Sequence, residues 1–204
     1  MSYLERMPFL ERTEFLFQAK QIGKGEDSSK SEKWSPKIFI IDPHTHEAVA
    51  FFEQSYYNPK SKYTLRDMND RPLMFLRKEK AMQKKPRFWI YSMDDDTKVE
   101  ELGKNSPLII GEMARKKMVS RKFYFYRPGE LDMFIVKHNM TYSHVTFENL
   151  ISNEPEFLAE GDNKVITTWG WDWEFTLNIH PSCDKFIRSM LICCMLAIRT
   201  TFPE

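Results

Sequence analysis

Residues Lys185–Arg199 read KFIRSMLICCMLAIR. Wound as a helix of roughly 3.6 residues per turn, this stretch has no polar face. Phe186, Ile187, Met190, Leu191, Ile192, Met195, Leu196 and Ile198 point to every side, and Cys193, Cys194 and Ala197 fill most of the remainder. A helix apolar all round must be enclosed by lipid or by protein. The uncharged run Ser189–Ile198 has ten residues, against about 20 needed to cross a bilayer. Protein must therefore surround it. Ser182 or Asp184, just after Pro181, is positioned to cap its N-terminus.

The enclosure has to come from the rest of the chain, which reads as short strands separated by turns. EFLFQAK (Glu14–Lys20) alternates apolar and polar residues. KIFII (Lys37–Ile41) and EAVAFF (Glu47–Phe52) flank an Asp-Pro turn, and KYTLRD (Lys62–Asp67) and PLMFLR (Pro72–Arg77) flank Asn69-Asp70. RFWIYSM (Arg87–Met93) and PLIIGEM (Pro107–Met113) follow. RKFYFY (Arg121–Tyr126) and LDMFIVK (Leu131–Lys137) then flank Pro128-Gly129. YSHVTF (Tyr142–Phe147) and KVITTW (Lys164–Trp169) come next. The clearest strand is the last. Trp173, Phe175, Leu177 and Ile179 alternate with Glu174, Thr176, Asn178 and His180, the period of a half-buried strand. The expected fold is mostly β: a closed antiparallel barrel of about twelve strands wrapped around the apolar C-terminal helix.

Length and composition narrow the function. The chain has 204 residues, enough for one domain with a full core. Thirty basic against 29 acidic residues give a net charge of +1, which excludes a surface that is cationic throughout and counts against nucleic acid as partner. Three cysteines exclude a disulfide framework. Seven glycines and no Gly-rich phosphate loop, dinucleotide fingerprint or nucleophile elbow leave catalysis without a motif, so no catalytic residue and no cofactor is expected. Met1–Leu10 lacks the apolar run of a secretory signal.

His44 with His46, and His180 with Cys183, have ligand-like spacing but no second half, so no metal is expected; a polar turn and a helix start explain them. Cys193 and Cys194 read as packing residues, and Asp94-Asp95-Asp96 as a solvated turn. Trp169, Trp171 and Trp173 share a parity and read as core.

Two basic clusters remain: Lys84, Lys85 and Arg87, extended by Lys78 and Lys80; and Arg115, Lys116, Lys117, Arg121 and Lys122. Arg115, Lys117 and Arg121 share one parity on extended backbone. Arg forks and Lys charges suit a phosphate-bearing headgroup, and the adjoining Phe123, Tyr124, Phe125 and Tyr126 suit an interface. The same lysines also serve as solvated outer-face residues that block aggregation of strand edges.

Three stretches carry a family resemblance. IIDPHTHEAVAFFEQS (Ile40–Ser55) resembles a strand, turn, V-x-F-x-x-E hairpin. YTLRDMNDRPLMFLRK (Tyr63–Lys78) resembles a F-T-L-R, turn, strand unit that ends in Arg. DKFIRSMLICCMLAIRTTFPE (Asp184–Glu204) resembles a Met- and Cys-rich terminal helix opening with Asp. In this order they resemble the tubby C-terminal-like superfamily, nearest to the phospholipid scramblases and LURP-one-related proteins. The resemblance runs from about Glu14 to Glu204 and implies one tubby-like domain over 1–204, with 1–13 a short N-terminal extension.

The chain departs from scramblases in three places. It has no Pro-rich N-terminal segment. EKAMQKKP (Glu79–Pro86) replaces a cysteine-rich run. WGWDWEFTLNIHPSCD (Trp169–Asp184) replaces an acidic calcium-binding segment with too few carboxylates for calcium.

The resulting expectation is a non-enzymatic module that binds anionic phospholipid or phosphoinositide headgroups through Lys84, Lys85, Arg87, Arg115, Lys117, Arg121 and Lys122. It would be intracellular, cytoplasmic and peripheral at membranes, with no transmembrane segment. The alternative is a rigid interaction subunit of a protein assembly; nucleic-acid binding ranks third.

Overall fold

In the computed structural model the described residues are 3–20, 37–54, 62–79, 86–99, 102–103, 105–115, 121–129, 132–139, 143–151, 157–165 and 173–201. They form twelve strands and a C-terminal helix: β1 (Glu14–Lys20), β2 (Lys37–Ile41), β3 (Ala48–Gln54), β4 (Lys62–Asp67), β5 (Pro72–Lys78), β6 (Arg87–Ser92), β7 (Ile109–Ala114), β8 (Lys122–Tyr126), β9 (Asp132–His138), β10 (His144–Asn149), β11 (Phe157–Val165), β12 (Trp173–Ile179) and α1 (Lys185–Thr201). Each strand pairs antiparallel with its neighbours in sequence, and β1 pairs with β12 to close the barrel. Closure leaves no edge strand.

The alternation seen in the sequence separates lumen from exterior. Phe15 and Phe17 of β1, Phe123 and Phe125 of β8, Phe134 and Val136 of β9 and Phe175 and Leu177 of β12 are all buried in one core with the helix. Phe17 stacks on Phe175 across the β1–β12 seam at 4.3 Å between centroids, and Phe125 on Phe134 at 4.5 Å. On the helix every residue from Met190 to Ile198 is buried. Each large apolar side chain removed from water in this way contributes roughly 1.5–3 kcal/mol.

Two wall strands carry a glycine where a helix methionine reaches them. A Cβ on Gly111 of β7 would lie 2.5 Å from the Phe125 ring and 3.2 Å from Met190 Sδ. One on Gly161 of β11 would lie 2.6 Å from Met195 Cε and 3.0 Å from the Thr176 carbonyl oxygen. Gly161 also explains a difference from the sequence expectation. A strand was expected at KVITTW, whereas β11 starts at Phe157 and meets that stretch only at Lys164 and Val165; Ile166–Trp169 lie outside the described residues. Gly161-Asp162-Asn163 has the local preference of a turn, yet all three residues are paired in register with Leu177, Thr176 and Phe175. The helix behind the strand requires the glycine, and the flanking strands impose extended backbone.

Asp184 caps α1, its Oδ1 accepting the Ile187 N–H at 2.7 Å. One turn in, Arg188 is buried. Its guanidinium donates to five carbonyls, those of Leu10, Glu11, Arg12, Pro181 and Cys183, at 2.8–3.2 Å. It thereby ties the helix start to residues 3–12. These fold as two 3-10 turns, Tyr3–Arg6 and Pro8–Glu11, and bury Met7, Phe9 and Leu10 in the main core. The expected extension is thus part of the core, closing the barrel end at which the helix enters. A second, smaller cluster lies outside the barrel. Phe75, Trp89 and Tyr91 face outward from β5 and β6 and are buried with Met93 and Leu102 from the β6–β7 connection, which is held by Arg77 donating to the Leu102 carbonyl at 2.6 Å.

Two outcomes are expected. Leu191→Asp places an unpaired carboxylate in the lumen, a cost of several kcal/mol against a total stability of roughly 5–15. It should abolish cooperative thermal unfolding; a variant melting within a few degrees of wild type would show that α1 is not enclosed. Arg188→Met should cost about 3 kcal/mol in urea denaturation and speed amide exchange in residues 9–12, because the carbonyls lose their donors. Arg188→Lys should recover only part of this, since an ammonium has fewer donors in a less rigid geometry.

Candidate anion-binding rim

Register fixes which residues share an end of the barrel. The helix enters between the end of β12 and the start of β1. At the opposite end lie the C-terminal residues of β5, β7 and β9 and the N-terminal residues of β6, β8 and β10. The pairs that define this rim are Lys78 with Phe88, Arg87 with Ala114, Ala114 with Tyr124, Lys122 with Lys137, and His138 with Val145. The two basic clusters of the sequence therefore meet at one rim where their residues are described. Lys80, Lys84, Lys85, Lys116 and Lys117 lie outside the described residues.

The residues that meet divide between two faces. Arg87 and Lys122 are on the outer wall. Arg87 Nε lies 2.7 Å from Glu112 Oε1, an ion pair across β6 and β7. Lys122 stands opposite Lys137, and Lys137 bonds Glu148 at 2.6 Å. Arg115 and Arg121 have the parity of the lumen-facing residues Met113 and Phe123. Arg115 directly follows β7; its N–H donates to the Pro86 carbonyl at 3.2 Å and its guanidinium lies 4.7 Å from the Phe123 centroid, a cation–π contact. Arg121 directly precedes β8 and is exposed. Its carbonyl accepts the His138 N–H at 3.3 Å.

His138 was not among the expected site residues. It continues the Phe134, Val136 parity of β9 into the mouth of the barrel and is buried. Its ring centroid lies 6.0 Å from that of Phe123, and Nδ1 donates to the Asn139 carbonyl at 2.8 Å. Burial above all disfavours its charged form; the Asn139 bond opposes this, and the charges of Arg115 and Arg121 add to it, leaving the imidazole with a lowered pKa. The signal in the sequence was the period-2 pattern of LDMFIVKH carried one step further.

The other polar features are structural where described. His44 pairs with Glu14 at 3.5 Å. His180 Nδ1 lies 2.7 Å from Ser182 Oγ, and Cys183 Sγ lies 3.7 Å from the Leu158 carbonyl oxygen. Among the described residues no group of three or more His, Cys, Asp or Glu side chains is placed to hold a metal ion. Burial raises the thiol pKa of Cys193 and of Cys194. Asp94 caps its own turn with Thr97, and Asp95 lies 3.6 Å from Arg6. Trp173 opens β12 opposite Val165; Trp169 and Trp171 lie outside the described residues. At the end where the helix enters, Leu150 and Ile151 after β10 and Phe157 at the start of β11 are exposed, Ile151 to 69%. No helix among the described residues is long and apolar enough to cross a membrane.

No family model matches the chain, and no curated protein matches it. A protein from Arabidopsis thaliana solved by X-ray crystallography is similar in structure, with a TM-score of 0.54 and 11% sequence identity over 91% of each chain. That likeness is one of fold.

The environment of His138 has a consequence for stability. Its folded-state pKa lies below that of the unfolded chain, so folding favours the neutral ring. The stabilisation is present above the ordinary histidine range and is lost as pH falls through it. The melting temperature should therefore decline between about pH 7 and about pH 5, and His138→Gln should flatten that decline. Equal slopes in the two proteins would show that the ring titrates as if in water.

Proposed function

We propose that the chain is a non-enzymatic binding module whose basic rim recognises anionic phospholipid headgroups at a cytoplasmic membrane surface. One observation carries the reading: register gathers Arg87, Arg115, Arg121 and Lys122 from three successive strands to one barrel end, with Lys137 and His138 beside them. Each basic side chain near an anionic leaflet contributes about 1 kcal/mol, and several acting together give a salt-sensitive, peripheral attachment. The family resemblance of the hairpins and terminal helix supports the same ligand class, and the tubby-like, scramblase-like assignment belongs to this proposal. A second reading, a rigid subunit of a protein assembly, is favoured by the exposed Leu150, Ile151 and Phe157 at the other end.

Co-sedimentation distinguishes the two. The protein should pellet with vesicles containing phosphatidylserine or a phosphoinositide and stay in solution with neutral phosphatidylcholine. Binding should weaken as salt rises. Replacing both Arg121 and Lys122 with Ala should weaken binding roughly thirtyfold, two contacts at about 1 kcal/mol each, with little change in melting temperature because both are exposed. Equal binding to neutral and anionic vesicles, or binding to neither, would overturn the headgroup reading.

A further inference from the structure

We propose that Arg115, Arg121 and His138 together form a site for a phosphate monoester at the barrel mouth, in which His138 is the proton-accepting third donor. The proposal deepens the headgroup reading and rests on it for the membrane source of the ligand only.

Three strand ends supply three donors of different kinds. Arg115 comes from the end of β7, Arg121 from the start of β8 and His138 from the end of β9, three successive strands of the wall. Phe123 contacts two of them, with the Arg115 guanidinium over its ring at 4.7 Å and the His138 ring tilted against it at 6.0 Å. Arg121 is held against His138 through their backbones. The ring orientation is set as well: because Nδ1 donates to the Asn139 carbonyl, any further proton must enter at Nε2. Two guanidinium forks and one imidazolium N–H can address three oxygens. A phosphate monoester presents three non-bridging oxygens and nearly two negative charges near neutrality, whereas a diester presents two oxygens and one charge. The donor set matches the monoester.

The charges around His138 explain why the ring waits for the anion. On its own strand Lys137 is paired with Glu148. Across β8 stand Arg121 and Lys122, and from β7 comes Arg115. On the β10 side His144 is paired with Asp162 at 2.7 Å. The cationic neighbours and the burial both oppose a positive ring. A dianion docked between Arg115 and Arg121 reverses the sign of that field, so the ring takes up a proton from solvent as the anion arrives. No bond other than the N–H is made or broken.

The test uses the full chain with soluble myo-inositol 1,4,5-trisphosphate and with its lipid counterpart in phosphatidylcholine vesicles. Calorimetry in two buffers of different ionisation enthalpy, at about pH 7, should show net proton uptake by the protein. Imidazole NMR should show the His138 titration moving upward on binding. His138→Gln should abolish that part of the uptake and weaken trisphosphate binding roughly tenfold, the loss of one charge-assisted hydrogen bond. Arg121→Gln, at an exposed position, should weaken binding without altering the fold, which keeps the test informative if the buried variant unfolds. Glycerophosphoinositol, a diester, should bind far more weakly. Trisphosphate binding with the His138 titration unmoved, or equal affinity for monoester and diester, would overturn the site. Vesicle binding that survives His138→Gln unchanged would also overturn it while leaving the headgroup reading intact. Trisphosphate binding with proton uptake but no vesicle binding would instead sustain the site and remove the membrane.

Discussion

Everything in this structure depends on enclosing a helix that has no polar face. Residues Met190 to Ile198 are buried on all sides, and a strand-rich chain can surround a helix only by closing its sheet. Closure then constrains the wall. Twelve strands in sequence order, with β1 meeting β12, leave a lumen filled by one helix and the inward-facing apolar side chains of the wall. Where Met190 and Met195 of the helix reach the wall, the wall has glycine. Flexible methionine against glycine is a forgiving way to fit a helix into a closed barrel.

The enclosed helix must also be held in register, and Arg188 does this. A buried guanidinium without hydrogen bonds would be severely destabilising. Here its donors go to carbonyls at the chain's N-terminal turns and at the approach to the helix itself. The first and last parts of the sequence thus meet at one end of the barrel, beside the Arg12–Asp42 ion pair at 2.9 Å. That end is committed to structure, with Met7, Phe9 and Leu10 packed into it.

The division of labour between the two ends follows from this. Among the described residues the lumen is packed with side chains of the wall and the helix, and the proposed recognition falls to the rim. The rim away from the helix entry collects Arg115, Arg121, Lys122, Lys137 and His138 from strands that are neighbours in the sheet. Lys122 directly opposite Lys137 is an arrangement that strand pairing by itself disfavours. The Lys137–Glu148 bond at 2.6 Å offsets it on one side.

The sequence by itself determined the architecture. An apolar helix too short to span a bilayer, and strands with period-2 burial such as β1, β2, β4 and β12, leave a closed barrel as the way to satisfy both. Those strands were legible because their alternation and their turn residues agree. β11 was not, because Gly161-Asp162-Asn163 prefers a turn locally and becomes strand only under pressure from the helix behind it and the strands beside it. The rim was half legible. The shared parity of Arg115 and Arg121 could be read from spacing, but His138 looked like one more polar residue after a strand. Only the tertiary structure decided that it shares a barrel end with those two arginines. Proximity across β7, β8 and β9 is set by strand register and barrel closure, which are properties of the whole sheet and not of any local stretch of chain.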